Sequence, residues 1–384
     1  MRPPYDVVVV GAGPVGSSAA RECAKAGLSV ACIEEQGTIG YPVQCAGLLS
    51  LAAFAECETG PRSILNTVTG ARVVSGTGAT LEFDAKVKKA HVVDRGILDR
   101  EIAESAADAG AEFLTKTVVC GVREDRVLTR GMNGSNETGF RILIAADGPR
   151  SSLARFYGME RAKTYLAGIQ AEGLLDHEKN LVGLYPDASP EFFGWVIPTG
   201  EGRVRVGMCG NSMVQKHFHA FIKQVGLSSD LHFVTGTLPL GIMPKTYGHR
   251  TLFVGDAGGF AKPTSGGGVY TGIRTARHAA ATAVACLERG DISDHALAEY
   301  EKLWQADIGK ELALGYRLFL MRQHFSSDTL DQMISAMNTP GIIREIKEHG
   351  DMDRPGEIMG ILIRNPSLIR FFSPLLMSGI RSFF

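Results

Sequence analysis

Two textures of apolar residues divide this chain. Near its start, Asp6-Val-Val-Val-Val-Gly11 is an unbroken apolar run, an Ala-rich segment reaches Gly27, and Leu28-Ser-Val-Ala-Cys-Ile-Glu34 is a second run. Short continuous runs on either side of a helix predict strands covered on both faces, the pattern of a parallel sheet. Phe140-Arg-Ile-Leu-Ile-Ala-Ala-Asp147 and Thr251-Leu-Phe-Val-Gly255 share this texture and predict further strands. From 164 to 245 the pattern alternates instead, in Gly168-Ile-Gln-Ala-Glu-Gly, Phe192-Phe-Gly-Trp-Val-Ile-Pro198 and Arg203-Val-Arg-Val-Gly-Met, with a Gly200-Glu-Gly202 turn. Period-two segments joined by tight turns predict an antiparallel sheet with one covered face.

The remaining elements fit between these. Gly70-Ala-Arg-Val-Val and Ala79-Thr-Leu-Glu-Phe read as a small antiparallel excursion, and 111–114 and 118–122 read as strands. Leu98, Ile102, Ala106 and Ala109 recur at helical spacing before Gly110, which predicts an amphipathic helix with a glycine stop. Ser151 opens a short helix, residues 274–288 form an Ala-rich one, and the pattern is helical from 293 onward, divided by Pro366 and Pro374. The predicted class is α/β: a Rossmann-type domain over 1–163 and 246–290, an antiparallel-sheet domain over 164–245, and a helical region over 291–384. A length of 384 residues agrees with more than one associated domain.

Charge and composition narrow the function classes. With 40 basic and 41 acidic residues the net charge is −1, so nothing in the balance favours nucleic acid. The seven cysteines include no Cys-x-x-Cys pair, which argues against a disulfide framework, a zinc site or a dithiol motif; no metal site is expected. Met1-Arg-Pro-Pro leads straight into the first strand, leaving no room for a signal peptide, and no apolar run reaches the ~18 residues of a membrane span. A cytoplasmic location is expected. The tail, with Phe371-Phe372 and Phe383-Phe384 beside arginines, reads as core, as a dimer contact or as an interfacial element peripheral to the inner face of a membrane.

The chemistry concentrates in glycine loops. Gly11-x-Gly13-x-x-Gly16 follows a strand and opens a helix, and Glu34 ends the next strand 18 residues after Gly16. This is the context of a dinucleotide-binding unit: Gly11 for the tight turn, Gly13 for backbone approach to a pyrophosphate, Gly16 for close helix packing, and Glu34 for a ribose hydroxyl. The helix N-terminus supplies amide donors to the phosphates. Gly266-Gly267-Gly268-Val269 after Gly255-Asp256 is a second glycine loop before a helix, suited either to an electron-rich ring or phosphate or to helix packing on the sheet. Gly40-Tyr-Pro-Val-Gln-Cys45-Ala46-Gly47 needs close backbone approach as well; it reads either as a surface loop with a buried cysteine or as a loop beside the reactive ring of a cofactor.

The glycine unit with Glu34, the strand-end Asp147-Gly148, and Gly255-Asp256 before a glycine-rich helix start together resemble the flavoprotein superfamily of p-hydroxybenzoate hydroxylase, over residues 5 to about 290. Within it, Tyr41-Pro-Val-Gln-Cys45-Ala46-Gly47 and Phe193-Gly-Trp195-Val-Ile-Pro198 are similar to the two signatures of the geranylgeranyl reductases, especially the archaeal enzymes that saturate the isoprenoid chains of ether lipids. Phe193 stands where that family carries Tyr, Ile197 where it carries Phe, and the loop lacks the family's Glu.

The resemblance implies bound FAD, with contacts from Val15, Glu34, Cys45, Ala46, Gly47, Arg95, Val119, Asp256, Gly268 and Val269. It implies a polyprenyl lipid substrate, met by Phe193 and Trp195, which alternation puts on one face; the alternative is that these aromatics are simply the core of the sheet. No second glycine fingerprint is present for a nicotinamide, so electrons are expected from a separate donor: reduced ferredoxin, a deazaflavin carrier, or NADPH bound transiently. Cys45 is the candidate proton relay or gate, with a buried inert thiol as the plain alternative; no cation or base is evident in the sequence to lower its pKa. Trp195-Val-Ile-Pro198 is also similar to a halogenase signature, with Phe193 in place of its first Trp, and aromatic hydroxylases share Asp147-Gly148. These define an oxygen-dependent alternative, and a non-catalytic flavin-bound lipid carrier a third.

Overall fold

A computed structural model describes residues 3–132 and 134–372. Its first layer is a sheet built around Tyr5–Val10, whose last four residues are fully covered. In space the strands run Tyr247–Gly248, Thr251–Phe253, Gly134–Ala145, Tyr5–Val10, Val30–Ile33, Glu112–Leu114. Tyr5–Val10 pairs in parallel with Gly134–Ala145 and with Val30–Ile33. Thr251–Phe253 joins the far side, also in parallel. The continuous valine runs thus lie at the centre, as their lack of alternation requires. Helices Pro14–Lys25, Arg95–Asp108 and Val269–Arg289 cover one face, burying Ala19, Ala20, Leu98, Ile102, Ala276 and Ala279 in one cluster with Val7 and Val9. Small residues allow Pro14–Lys25 and Val269–Arg289 to approach closely: a Cβ on Gly272 would lie 2.4 Å from the Val15 side chain.

The second layer is a seven-stranded sheet ordered Ser228–Leu240, Thr164–Leu174, Arg203–Gly210, Gly194–Gly200, Leu181–Tyr185, Gly70–Val74, Thr80–Asp84. Its pairings are antiparallel except for Leu181–Tyr185 with Gly70–Val74. The hairpin 70–84, read from sequence as an excursion, therefore extends the alternating sheet by two strands. Nothing local marks that long-range pairing.

Three further details differ from the sequence reading. An amphipathic helix, Val214–Val225, lies within the alternating region and buries Phe218 and Phe221 against the sheet. The Ala-rich helix begins at Val269, directly after the third glycine, rather than at 274. Residues Ala90–Val93, which the sequence reading ran into the following helix, form the middle strand of a small three-stranded sheet.

The C-terminal helices Asp294–Trp304, Lys310–Arg322, Ser327–Met337, Pro340–His349 and Gly356–Arg364 follow in order. The first packs on the Rossmann-type layer through Leu297, Tyr300 and Trp304. The later ones bury Leu314, Ile342, Leu362, Leu368 and Phe371 in a core of their own. The tail through Phe372 is thus core; the rest of the predicted interfacial element, Phe383 and Phe384 included, lies outside the described residues. No helix among the described residues is long and apolar enough to cross a membrane.

Candidate active site

Between the two sheets and the C-terminal helices lies a cavity of about 1450 Å³. That exceeds the usual ~300–1,000 Å³ of a small-molecule site. Gly13, Val15, Gly16, Glu34, Cys45, Ala46, Gly47, Arg95, Asp256, Gly268, Val269, Phe193 and Trp195 all line it. Of the residues expected to meet the cofactor or substrate, Gly11 and Val119 do not. Gly11 shapes the turn from behind: its φ is +99°, and a Cβ there would stand 2.3 Å from the carbonyl oxygen of Ala146. Val119 is packed in the core with Val8, Ile33 and Val127, so its side chain faces away from the cavity.

Both glycine loops present bare helix starts. The helices after Gly13 and Gly268 have no side-chain cap, whereas those begun by Asp94, Ser151 and Ser293 are capped by a side chain. Their first-turn amides therefore remain for a ligand. Glu34 shapes the same end: one carboxylate oxygen accepts from the Ala12 amide at 2.7 Å, the other from Gln36 at 2.8 Å. Val15 ties the two loops together, since Cβ atoms added to Gly255 and Gly272 would both crowd its methyls.

Asp256 stands at the second loop. No hydrogen bond from the described residues reaches its carboxylate. Burial pushes its pKa up to about 6, with Arg95 pulling weakly the other way. A Cβ on Gly268 would come within 2.9 Å of its Oδ1, so glycine keeps that acid open to the cavity. An acceptor without a protein donor, amide donors without protein acceptors and a Cβ-free cradle between them fit an extended dinucleotide with a hydroxylated linker. The Asp147 carboxylate turns inward instead, accepting from the Ser152 hydroxyl and the Leu153 amide, both at 3.0 Å.

Cys45 is half-buried, and its sulfur accepts from the Gly47 amide at 3.4 Å. The structure corrects the expectation that no cation stands near it. Burial works against the charge of Arg95, but Asp99 and the Cys45 sulfur hold its guanidinium above its ordinary pKa. That both line one cavity was invisible in the sequence because Arg95 begins a helix fifty residues later. Asp99, one turn along, fixes that guanidinium with bonds of 2.8 and 2.9 Å.

Residues from the second sheet hold the loop in place. Arg205 Nη1 donates to the Ala46 carbonyl at 2.9 Å and the Val93 carbonyl at 3.0 Å. Gln170 Nε2 reaches the Cys45 carbonyl at 3.5 Å, while its Oε1 accepts from the Trp195 indole at 3.1 Å. The indole lies flat across Gly207, where a Cβ would come within 2.5 Å of Cζ2. Phe193 meets Trp195 edge-on at 6.3 Å between ring centroids; Phe193 lies just before strand Gly194–Gly200 and stacks on Phe192, so the turn into the strand, not alternation, brings the two rings together. Gln170, Arg205 and Gly207 escaped the sequence reading, since Gln170 shares its strand face with Thr164 and Glu172 and nothing local sets it apart.

Beyond Trp195 the sheet forms an apolar floor. Trp195 pairs with Leu184, Leu184 with Val73, and Val73 with Leu81, one straight row across four strands. A second row joins Val182, Ala71 and Phe83, with Ile197 packed in the same cluster. Every side chain of both rows faces the cavity. Met333, Met337 and Ile346 from the C-terminal helices also line it.

The comparisons with known proteins agree with this geometry. Residues 6–147 match the family described as FAD dependent oxidoreductase. The chain is 30% identical to digeranylgeranylglycerophospholipid reductase 2 of Methanothermobacter thermautotrophicus, over 91% of this chain and 98% of that protein. A geranylgeranyl bacteriochlorophyll reductase-like protein of Thermoplasma acidophilum superposes with a TM-score of 0.86 at 25% identity, over 97% of this chain and 99% of that one. The fold alone is shared with p-nitrophenol 4-monooxygenase of Pseudomonas putida, with a TM-score of 0.73 at 18% identity over 91% of this chain and 98% of that one. The cofactor is FAD, and the chain belongs to the digeranylgeranylglycerophospholipid reductase family of FAD-dependent oxidoreductases.

Proposed function

We propose that this protein saturates C=C bonds in the geranylgeranyl chains of isoprenoid ether lipids or their precursors. The observation that carries the reading is the two-row apolar floor that runs up to Trp195, Gln170 and the Cys45 loop. Such a surface accepts a long hydrocarbon and gains ~25 cal/mol for each Å² of it removed from water. FAD, when bound, supplies the hydride that the alkene accepts.

The chain's own residues supply the rest. Glu34 would accept from the adenosine ribose, the amides after Gly13 and Arg95 would hold the pyrophosphate, and Asp256 would accept from the ribityl hydroxyls. Main-chain N–H groups at Gly268 and Val269 would donate to the pyrimidine end of the ring, and Cys45, Ala46 and Gly47 would hold it from the other loop. Val119 serves through the backbone and the shape of its strand. The carbon that does not receive hydride needs a proton. Cys45 Sγ is the donor we assign, its sulfur held by the Gly47 amide. Trp195 and Phe193 exclude water while charge builds on the alkene.

Electrons enter from a separate donor, a reduced ferredoxin, a deazaflavin carrier or NADPH. The protein works in the cytoplasm and meets its lipid at the inner face of the membrane. The test is anaerobic single turnover. The dithionite-reduced protein mixed with a digeranylgeranylglycerophospholipid reoxidises its flavin and yields a saturated chain. Reoxidation by oxygen and an aromatic substrate, with no response to lipid, refutes the reading in favour of an oxygenase. Trp195→Ala lowers lipid turnover more than FAD binding; equal losses identify Trp195 as core alone.

A further inference from the structure

The floor ends at a group of cations. Residues 85–89 leave strand Thr80–Asp84 beside Phe83 and turn back along the start of Gly70–Val74, with the Lys89 amide bonded to the Val68 carbonyl at 2.9 Å. Lys88 and Lys89 line the cavity there, and Lys347, from the last turn of helix Pro340–His349, lines it from the opposite wall. The two walls touch: Lys89 Nζ donates to the Lys347 carbonyl at 2.8 Å. None of these three lysines is paired with a carboxylate among the described residues, whereas neighbouring Lys86 is bonded to Asp84. Two acids also line the cavity near this wall: Asp353 is paired with Lys262, and Asp351 accepts through Oδ1 from the backbone amides of Asp353 and Arg354, at 2.6 and 3.0 Å.

We propose that Lys88, Lys89 and Lys347 bind the phosphate of the substrate lipid's headgroup, with the isoprenoid chain lying along the floor toward Trp195. This deepens the reductase reading and rests on it for the identity of the chain. The chemistry is that of a phosphate monoester or diester: ammonium groups bind it as point charges from several directions, with no need for the planar fork of arginine. Carboxylate-free lysines on a half-covered wall leave their charge for a ligand, and the apolar rows between them and Trp195 would repel a headgroup placed any deeper. The charged end of the lipid then sits where residues 85–89 leave the outermost strand, at the edge of the floor.

The test measures binding to the FAD-loaded, oxidised protein, with geranylgeranyl monophosphate and geranylgeraniol as probes. Wild type should hold the phosphate more tightly than the alcohol, by a margin that shrinks with added salt. The double variant Lys88→Gln/Lys347→Gln should cut that preference about tenfold. Lys86→Gln, whose side chain is outside the cavity, controls for surface charge. An unchanged phosphate-to-alcohol ratio in the double variant, with FAD content and melting temperature as in wild type, overturns the proposal. So does inorganic phosphate binding as tightly as the prenyl phosphate, which would mark an anion site unconnected with the floor. If the ratio behaves as expected but no prenyl lipid reoxidises the reduced flavin, the reaction is refuted and the headgroup site stands.

Discussion

Replacing Gly207 with alanine should uncouple lipid turnover from cofactor binding. Its added methyl would stand 2.5 Å from Trp195 Cζ2, 2.6 Å from Cε2 and 2.8 Å from Nε1. Ordinary contact begins near 3.4 Å, so the ring must lift by about 0.9 Å. The indole cannot do so and keep its 3.1 Å bond to Gln170. Losing that bond costs about 1 kcal/mol, and an off-rotamer Trp a further ~0.5–1.5 kcal/mol. The fold survives a cost of that size. Positioning at the alkene does not, because a shift of about 1 Å in a site built on alignment costs roughly a hundredfold in rate. Gly207 lies on the second sheet, away from both glycine loops. FAD content, read from flavin absorbance per chain, should therefore stay at wild-type stoichiometry while anaerobic reoxidation by lipid slows ten- to a hundredfold. Shortening the ring in Gly207→Ala/Trp195→Phe should recover part of the rate, since the clash goes although the indole donor is lost. Wild-type reoxidation in the single variant would refute the positioning role of Trp195; parallel loss of FAD would show that the two sheets are energetically one unit.

Asp256 gives a pH signature. Its carboxyl is neutral below about 6 in the apoprotein, and hydroxyl donors favour the ionised form. FAD affinity should thus rise with pH up to about 6 and then level off, whereas the apoprotein itself loses stability over the same rise, from 3.8 toward 6. Asp256→Asn should flatten the FAD titration. Cys45→Ser and Cys45→Ala should keep full FAD and slow reoxidation, alanine more than serine; wild-type rates in both would leave Cys45 as packing and send the proton through water. Lys262 and Asp353 are a buried ion pair, 9% and 2% exposed, and Ser50 bonds the same carboxylate. Lys262→Met should cost ~3–5 kcal/mol by stranding Asp353, and Lys262→Met/Asp353→Leu should regain most of the loss of urea midpoint. Rapid and complete bleaching of the flavin by NADPH alone in stopped flow would identify the donor as a nicotinamide.

The first layer was legible because its determinants are local. A valine run, a glycine turn and a terminal acid each constrain a few consecutive residues, and together they fix strand, loop and helix in order. The alternating region was legible as a sheet for the same reason. What stayed hidden depends on pairing between distant segments. Gly70–Val74 carries no mark that it will lie beside Leu181–Tyr185. Arg95 beside Cys45, Arg205 on the Ala46 carbonyl and Gln170 under the indole are likewise products of folding, not of spacing. Helix Val214–Val225 was missed although it is strongly amphipathic, because a period-two expectation had been extended across it. Val119, a residue implied by resemblance, keeps its side chain in the core, so only its main chain is left for a ligand.

A floor made of rows across strands has a graduated depth. Each strand outward from Trp195 adds one spacing of about 4.8 Å, and each carries one side chain of the first row: Leu184, then Val73, then Leu81. The surface is therefore a ruler whose marks are single residues, and the smallest mark in the neighbouring row is Ala71. Enlarging a residue on an outer strand would block the far end of a chain and leave the reacting end untouched. Which double bond reaches the flavin would then be set by how many strands the chain can cross, a quantity that evolution can change one step at a time without disturbing the cofactor.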